Sequence, residues 1–210
     1  MQRRPVRTAV RDRGYALKIA IIDSGVHAAH PHINGVAGGV AVTRDCREEA
    51  DYTDRIGHGT AVAAVIREKA PHAELFAVKI FHERLSSPIE PLVYAIDWSL
   101  GQGVNMINLS LGTDNPAHAE VLRSALQRVA NAGALLVAAH GWLPGALPGA
   151  ISVELDWECP RSELRSGIGG ATYRASGYPR PIPGVPVAQN LKGISFAVAN
   201  VTGLLASVAL

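Results

Sequence analysis

Five runs of strand length are apolar at nearly every position: LKIAIID (17–23), ELFAVKIF (74–81), VNMINLSLG (104–112), ALLVAAHG (134–141) and AISVEL (150–155). A strand with one wet face alternates apolar and polar residues, so runs without alternation must be covered on both sides. Strands of that kind assemble into a parallel sheet whose crossovers place helices above and below it. Segments of helical period lie between the runs. SPIEPLVYAIDWSLGQG opens with a capping box from Ser87 to Glu90 and places Pro88 at the first helical position. NPAHAEVLRSALQRVANAG starts at Asn115 and Pro116, ends at Gly133, and aligns Val121, Leu122, Ala125, Leu126 and Val129 on one face. The expected fold class is α/β, a three-layer sandwich with a mainly parallel central sheet.

A chain of 210 residues, 48% hydrophobic, supports one sizeable core, here assigned to residues 15–210. Residues 1–14 hold Arg3, Arg4, Arg7, Arg11 and Arg13 and read as a solvated basic tail. A net charge of +2 is too mild to argue for a nucleic-acid partner. No apolar run reaches the ~20 residues of a membrane span, and residues 1–14 lack the apolar middle of a secretory signal. A cytoplasmic location without membrane contact is therefore expected. Cys46 and Cys159 show no C-x-x-C spacing, so two free thiols are expected, with no metal and no cofactor. Residues 156–192, rich in Gly and Pro, read as loops and short edge strands. GIGGA (167–171) within them lacks the full G-x-G-x-x-G pattern and follows a loop, which sets a nucleotide-binding reading aside.

In an open parallel sheet the reactive groups collect beyond the carboxyl ends of the strands. Three polar residues end strands here: Asp23 after KIAII, Ser110 after MINL and His140 after LLVAA. Asp23 alone reads equally well as the cap of the next turn. His58, in GHGTAVAAVI, is flanked by Gly57 and Gly59, which leave room around an imidazole at a helix start. Ser195, in GISFAVANVTG, opens a helix of small and apolar residues, where a serine by itself is most simply a cap.

Together, in the chain order Asp23, His58, Ser195, these residues resemble the subtilisin-like (subtilase) family of serine peptidases. IIDSGVHAAHPHI resembles its aspartate motif, GHGTAVAAV its histidine motif, INLSLG its substrate-binding strand and GISFAVANVTG its serine motif. The resemblance covers residues 17 to about 205 and implies a subtilisin-like fold. It implies Ser195 as nucleophile, His58 as the base and Asp23 as the group that orients the imidazole. It further implies that Ser110, Leu111 and Gly112 pair with an extended peptide, with Ala138 and Ala139 near the pocket walls.

The chain departs from the family pattern at several points. An asparagine usually follows the strand that here reads LLVAAHGW, yet Gly141 stands at its place and His140 where a glycine is common. The side-chain donor to the oxyanion is missing there, which leaves His140, Gly141 and Asn190 as the residues to consider for that task. Ile194 replaces the usual threonine before the serine, and Ala199 the usual proline after it. REKAPHAELF leaves no room for the family's calcium loop, and Asp45, Glu48, Glu49, Asp51 and Asp54 read as a solvated acidic loop. No propeptide is recognisable ahead of YALKIAIIDSGV. The C-terminal LLASVAL is expected to expose an apolar face unless it packs back on the core or meets a second chain.

The resemblance implies an endopeptidase that processes a peptide or protein substrate inside the cell. The alternative is a pseudopeptidase that binds extended peptides along Ser110 to Gly112 without cutting them.

Overall fold

The computed structural model describes residues 16–170 and 172–209. The basic-tail reading of residues 1–14 lies outside the described residues. Nine strands form one sheet: β1 (Lys18–Asp23), β2 (Gly38–Val42), β3 (Glu48–Glu49), β4 (Glu74–Lys79), β5 (Met106–Leu109), β6 (Leu135–Ala139), β7 (Ile151–Leu155), β8 (Arg165–Ser166) and β9 (Tyr173–Ala175). Their spatial order is β3-β2-β4-β1-β5-β6-β7-β9-β8. The inner pairs are parallel, and the two-residue strands β3 and β8 run antiparallel to β2 and β9 at the edges. Short terminal strands leave little free edge for another chain to extend.

The uninterrupted apolar runs are explained by the layers on each face. Along β1, Ile19 and Ile21 face a core built with Val62, Val65 and Ile66 of helix α1 (His58–Lys69) and Phe196 and Val201 of helix α4 (Ile194–Val208). Ala20 and Ile22 face the opposite core, built with Leu92 and Ile96 of α2 (Ile89–Gly101) and Leu122, Leu126 and Val129 of α3 (Ala119–Asn131). The fold is the expected three-layer α/β sandwich. Phe196 is the largest fully enclosed side chain; truncating such a residue to alanine costs about 3–5 kcal/mol.

Local details differ from the sequence reading. Pro88 is the N-cap of α2, with ψ 167°, and Ser87 makes no capping bond, so the capping box does not form. Asn115 caps a short 3-10 turn (Pro116–His118) by accepting from Ala117 N, and α3 follows it. Val121 lies on the wet side of α3, 39% exposed, rather than on its buried face. β2, whose Gly38 and Gly39 hide its strand character, was not foreseen. The C-terminal helix packs back against α1, burying Phe196 to Gly203 and Ala206 while leaving Val208 exposed. Cys46 and Cys159 are free thiols. Among the described residues no helix is long and apolar enough to cross a membrane.

Candidate active site

Parallel register carries Asp23 to the carboxyl end of β1, opposite Lys79 of β4. Asp23 is fully buried. Its Oδ1 accepts from Ser24 N at 2.7 Å and meets Nδ1 of His58 at 2.8 Å, with Oδ2 3.0 Å from the same nitrogen. His58 is the first residue of α1, and its side chain is 13% exposed. The glycines act differently from the sequence reading. A Cβ on Gly59 would lie 2.2 Å from the carbonyl oxygen of Gly25 and 3.2 Å from Asp23 Oδ1. Gly59 therefore gives α1 its close approach to the end of β1, rather than space around the imidazole.

The start of α1 is capped from outside the helix. Asp54 Oδ1 accepts from Gly57 N (2.8 Å), Ile56 N (2.9 Å) and Ser24 Oγ (2.9 Å), while Oδ2 accepts from Thr60 N (2.8 Å) and Thr60 Oγ1 (2.7 Å). Ser24 Oγ in turn accepts from Gly59 N at 2.9 Å. First-turn donors that have no intrahelical acceptor are thus satisfied, and the helix that carries His58 is tied to the residue after Asp23. Asp54 is therefore a structural anchor and no part of a solvated acidic loop. Lys79 fastens the same loop by donating from Nζ to the Thr53 carbonyl at 2.7 Å.

These contacts set the electrostatics. Burial disfavours the His58 imidazolium, but the hydrogen bond and charge of Asp23, aided by Asp54, outweigh it and raise the pKa above its ordinary value of 6.5. Burial also opposes ionisation of Asp54, yet its bonds from Thr60, Gly57 and Ile56 hold that carboxyl below the usual range.

Ser195 is the second residue of α4; Gly193 is the N-cap, and the serine hydroxyl makes no capping bond. The simple capping reading of Ser195 is therefore wrong. Its Oγ donates to the Ser110 carbonyl at 3.3 Å, and Ser110 Oγ donates to the Ser195 carbonyl at 3.1 Å. A buried chain of bonds stands behind this pair: the single Thr202 hydroxyl proton is shared between Asn108 Oδ1 (2.9 Å) and the Val198 carbonyl (3.0 Å), and Asn108 Nδ2 donates to Ser110 Oγ (2.9 Å). Asn108 and Thr202 are both fully buried. The His58 ring packs against Phe196, the residue after Ser195, with centroids 5.8 Å apart. Among the described residues, no hydrogen bond joins Ser195 to His58 in this conformation.

The residues considered for the oxyanion are placed as follows. His140 Nδ1 is held by Ser152 Oγ at 2.9 Å. Gly141 has φ +80°, and a Cβ there would meet nothing within 4 Å. Asn190 donates from Nδ2 to the Arg180 carbonyl (3.4 Å) and accepts Leu191 N on Oδ1 (2.9 Å), so its amide is engaged in its own loop.

Ser110, Leu111 and Gly112 follow β5. Thr113, just beyond, forms a two-way antiparallel bridge with Leu143, Thr113 N to Leu143 O at 3.0 Å and Leu143 N to Thr113 O at 2.9 Å. Leu111 and Gly112 border a cavity of about 60 Å³ shared with Pro88, Ile89 and Leu92. Ala138 and Ala139 are buried at the end of β6, and the turn at Gly145 lies against their backbone. Among the described residues no group of three or more His, Cys, Asp or Glu side chains is arranged to hold a metal ion.

Four supporting residues escaped the sequence reading: Ser24, Asp54, Asn108 and Thr202. The available signal was position, since Ser24 follows a strand-ending aspartate, and Asn108 and Thr202 are polar residues inside otherwise apolar elements.

Comparison with known proteins places the chain in a family. Residues 14–150 match the model of the subtilase family. The minor extracellular protease Epr of Bacillus subtilis (strain 168) is 36% identical over 138 residues, covering 61% of this chain and 20% of that protein. Subtilisin E of the same organism is 28% identical, covering 80% of this chain and 53% of that protein. Subtilisin of Bacillus pumilus is 28% identical, covering 93% of this chain and 76% of that protein. The chain thus spans about a fifth of Epr and about half of subtilisin E. The crystal structure of a cold adapted subtilisin-like serine proteinase superposes with a TM-score of 0.66 at 22% identity, covering 90% of this chain and 74% of that one, a likeness of fold. With the family's model matched across the aspartate, histidine and substrate-strand motifs, the chain belongs to the subtilase family.

Proposed function

We propose that this chain is a serine endopeptidase. The observation that carries the reading is the 2.8 Å contact between His58 Nδ1 and the buried Asp23 carboxylate at the mouth of the helix layer that also presents Ser195. The Asp23 carboxylate accepts a hydrogen bond from Nδ1–H and stays ionised, leaving Nε2 as the base that takes the Ser195 proton and returns it to the leaving amine. For this step the Ser195 hydroxyl must leave the Ser110 carbonyl and come within hydrogen-bond reach of His58. The N–H of Ser195, at the positive end of α4, has no acceptor within the helix and meets the developing oxyanion. An extended peptide adds main-chain bonds along Ser110 to Gly112, and the small cavity beside Leu111 takes part of a side chain. The substrate class is an exposed, extended segment of a peptide or protein.

A second reading, a pseudopeptidase that only binds such segments, is favoured by two observations. The Ser195 hydroxyl bonds to Ser110, and Gly141 supplies no side-chain donor. Labelling with a fluorophosphonate probe, read by intact mass, separates the two. One adduct, absent in Ser195→Ala and His58→Ala, supports the peptidase. Folded protein that takes no label supports the binder.

A further inference from the structure

On the flank of α1, away from its contact with β1, lies a cavity of about 440 Å³ bordered by His27, His30, His32, Asp54 and Arg180. It shares Gly57 and Thr60 with the first turn that presents His58, and Leu191 with the segment leading into α4. Its opposite wall holds Ile182, Val185 and Leu191, 44%, 38% and 48% exposed, interrupted by the amides of Gln189 and Asn190.

The polar side of this cavity combines one permanent cation, Arg180, with three imidazoles and the Asp54 carboxylate. Arg180 NH1 donates to the His32 carbonyl at 3.3 Å, and among the described residues no carboxylate forms a salt bridge with that guanidinium. Asp54 borders the space, but both its oxygens are taken by the hydrogen bonds that anchor α1. Glu68, the other acid whose charge reaches His32, is paired with Arg161 and Lys69. The three imidazoles stack edge to face, His27 to His30 at 6.5 Å and His30 to His32 at 5.1 Å between ring centroids. Burial first, and then the charges of Arg180 and His30, hold the His32 pKa below 6.5 against the opposing charge of Glu68.

We propose that this cavity binds a carboxylate carried on an apolar segment of peptide, with Arg180 and the histidines facing the carboxylate and Ile182, Val185 and Leu191 facing the aliphatic part. A planar guanidinium fork matches a carboxylate in shape and charge, and the apolar wall disfavours a small, strongly hydrated anion. The carboxylate has two sources, a free C-terminus or an acidic side chain. As a place where substrate or product is held beside the reacting centre, the assignment rests on the peptidase reading; as a carboxylate site it stands without it.

The test uses binding, not turnover, on the full chain carrying Ser195→Ala. Histidine ring resonances are followed while adding N-acetyl-leucine, N-acetyl-leucyl-glutamic acid α-amide or the neutral N-acetyl-leucinamide. Saturable shifts of His30 and His32 with the first probe identify a free C-terminus, and with the second an acidic side chain. The neutral amide leaves the rings unmoved. Arg180→Gln weakens binding by at least about tenfold, and Arg180→Lys recovers part of it. The proposal is overturned if neither carboxylate shifts the rings, if the amide binds as well as the acids, or if Arg180→Gln binds unchanged. None of these outcomes depends on whether Ser195 is reactive in the unmodified protein.

Discussion

Ser110 and Ser195 hold one another reciprocally, the hydroxyl of each donating to the carbonyl of the other at 3.1 and 3.3 Å. This pair joins the end of β5 to the first turn of α4, and the Thr202 to Asn108 bond buries its support. Thr202→Val keeps the side-chain shape but leaves the Asn108 carbonyl oxygen without that donor. Its expected cost is about 1–3 kcal/mol of stability, measured by denaturant unfolding, with Thr202→Ser recovering most of it.

Asp23→Asn preserves the packing around β1 but removes the acceptor that orients His58. The expected loss in peptide-hydrolysis turnover is on the order of 10⁴-fold, with the protein still folded. A variant within tenfold of the unmodified turnover would remove Asp23 from the mechanism.

The raised pKa of His58 sets a pH dependence. Only the neutral imidazole accepts a proton, so fluorophosphonate labelling rises with pH, with an inflection above 6.5. The same shift gives stability that is fully present below pH 6.5 and fades as pH rises through the raised value. A labelling profile that inflects below 6.5 would contradict the Asp23 and His58 pairing.

Gly59→Ala places a methyl group 2.2 Å from the Gly25 carbonyl oxygen, so α1 must move away from β1. The expected cost is about 1–3 kcal/mol, accompanied by loss of the downfield Nδ1 proton resonance that a carboxylate-bonded imidazole shows. Calorimetry and one-dimensional proton spectra measure the two effects separately.

Gly141→Asn restores an amide donor at the position left open in the chain. Asparagine tolerates the left-handed backbone found there, φ +80°, and nothing within 4 Å obstructs its Cβ. The expected gain in peptide turnover is on the order of 10²–10³-fold, the amount such a donor contributes to oxyanion stabilisation. An unchanged rate would show that another group already meets the oxyanion.

The central strands were legible because burial on both faces leaves no polar position to obscure the run. β2 was not, since Gly39 lies where the Ala77 carbonyl and the Tyr52 ring leave no space for a side chain and Gly38 sits close against Phe76, a requirement set by neighbours distant in sequence. Asp23 and His58 could be read from strand-end and helix-start positions. Asp54 was misread because its acidic neighbours do face solvent: Asp45 pairs with Arg47 and Asp51 with Arg55, whereas Asp54 meets Ser24 thirty positions away. The capping box at Ser87 failed because Pro88 is extended, which starts α2 one residue late and leaves Ser87 without a first-turn partner.

Asp23 and His58 lie within the first third of the chain, whereas Ser195 rides on a helix whose packing partner α1 comes far earlier in the sequence. During synthesis, a nascent chain that has emerged only through α3 holds Asp23 and His58 but not yet Ser195. The connectivity thus brings Ser195 to Asp23 and His58 last, when nearly the whole sheet is already available to fold.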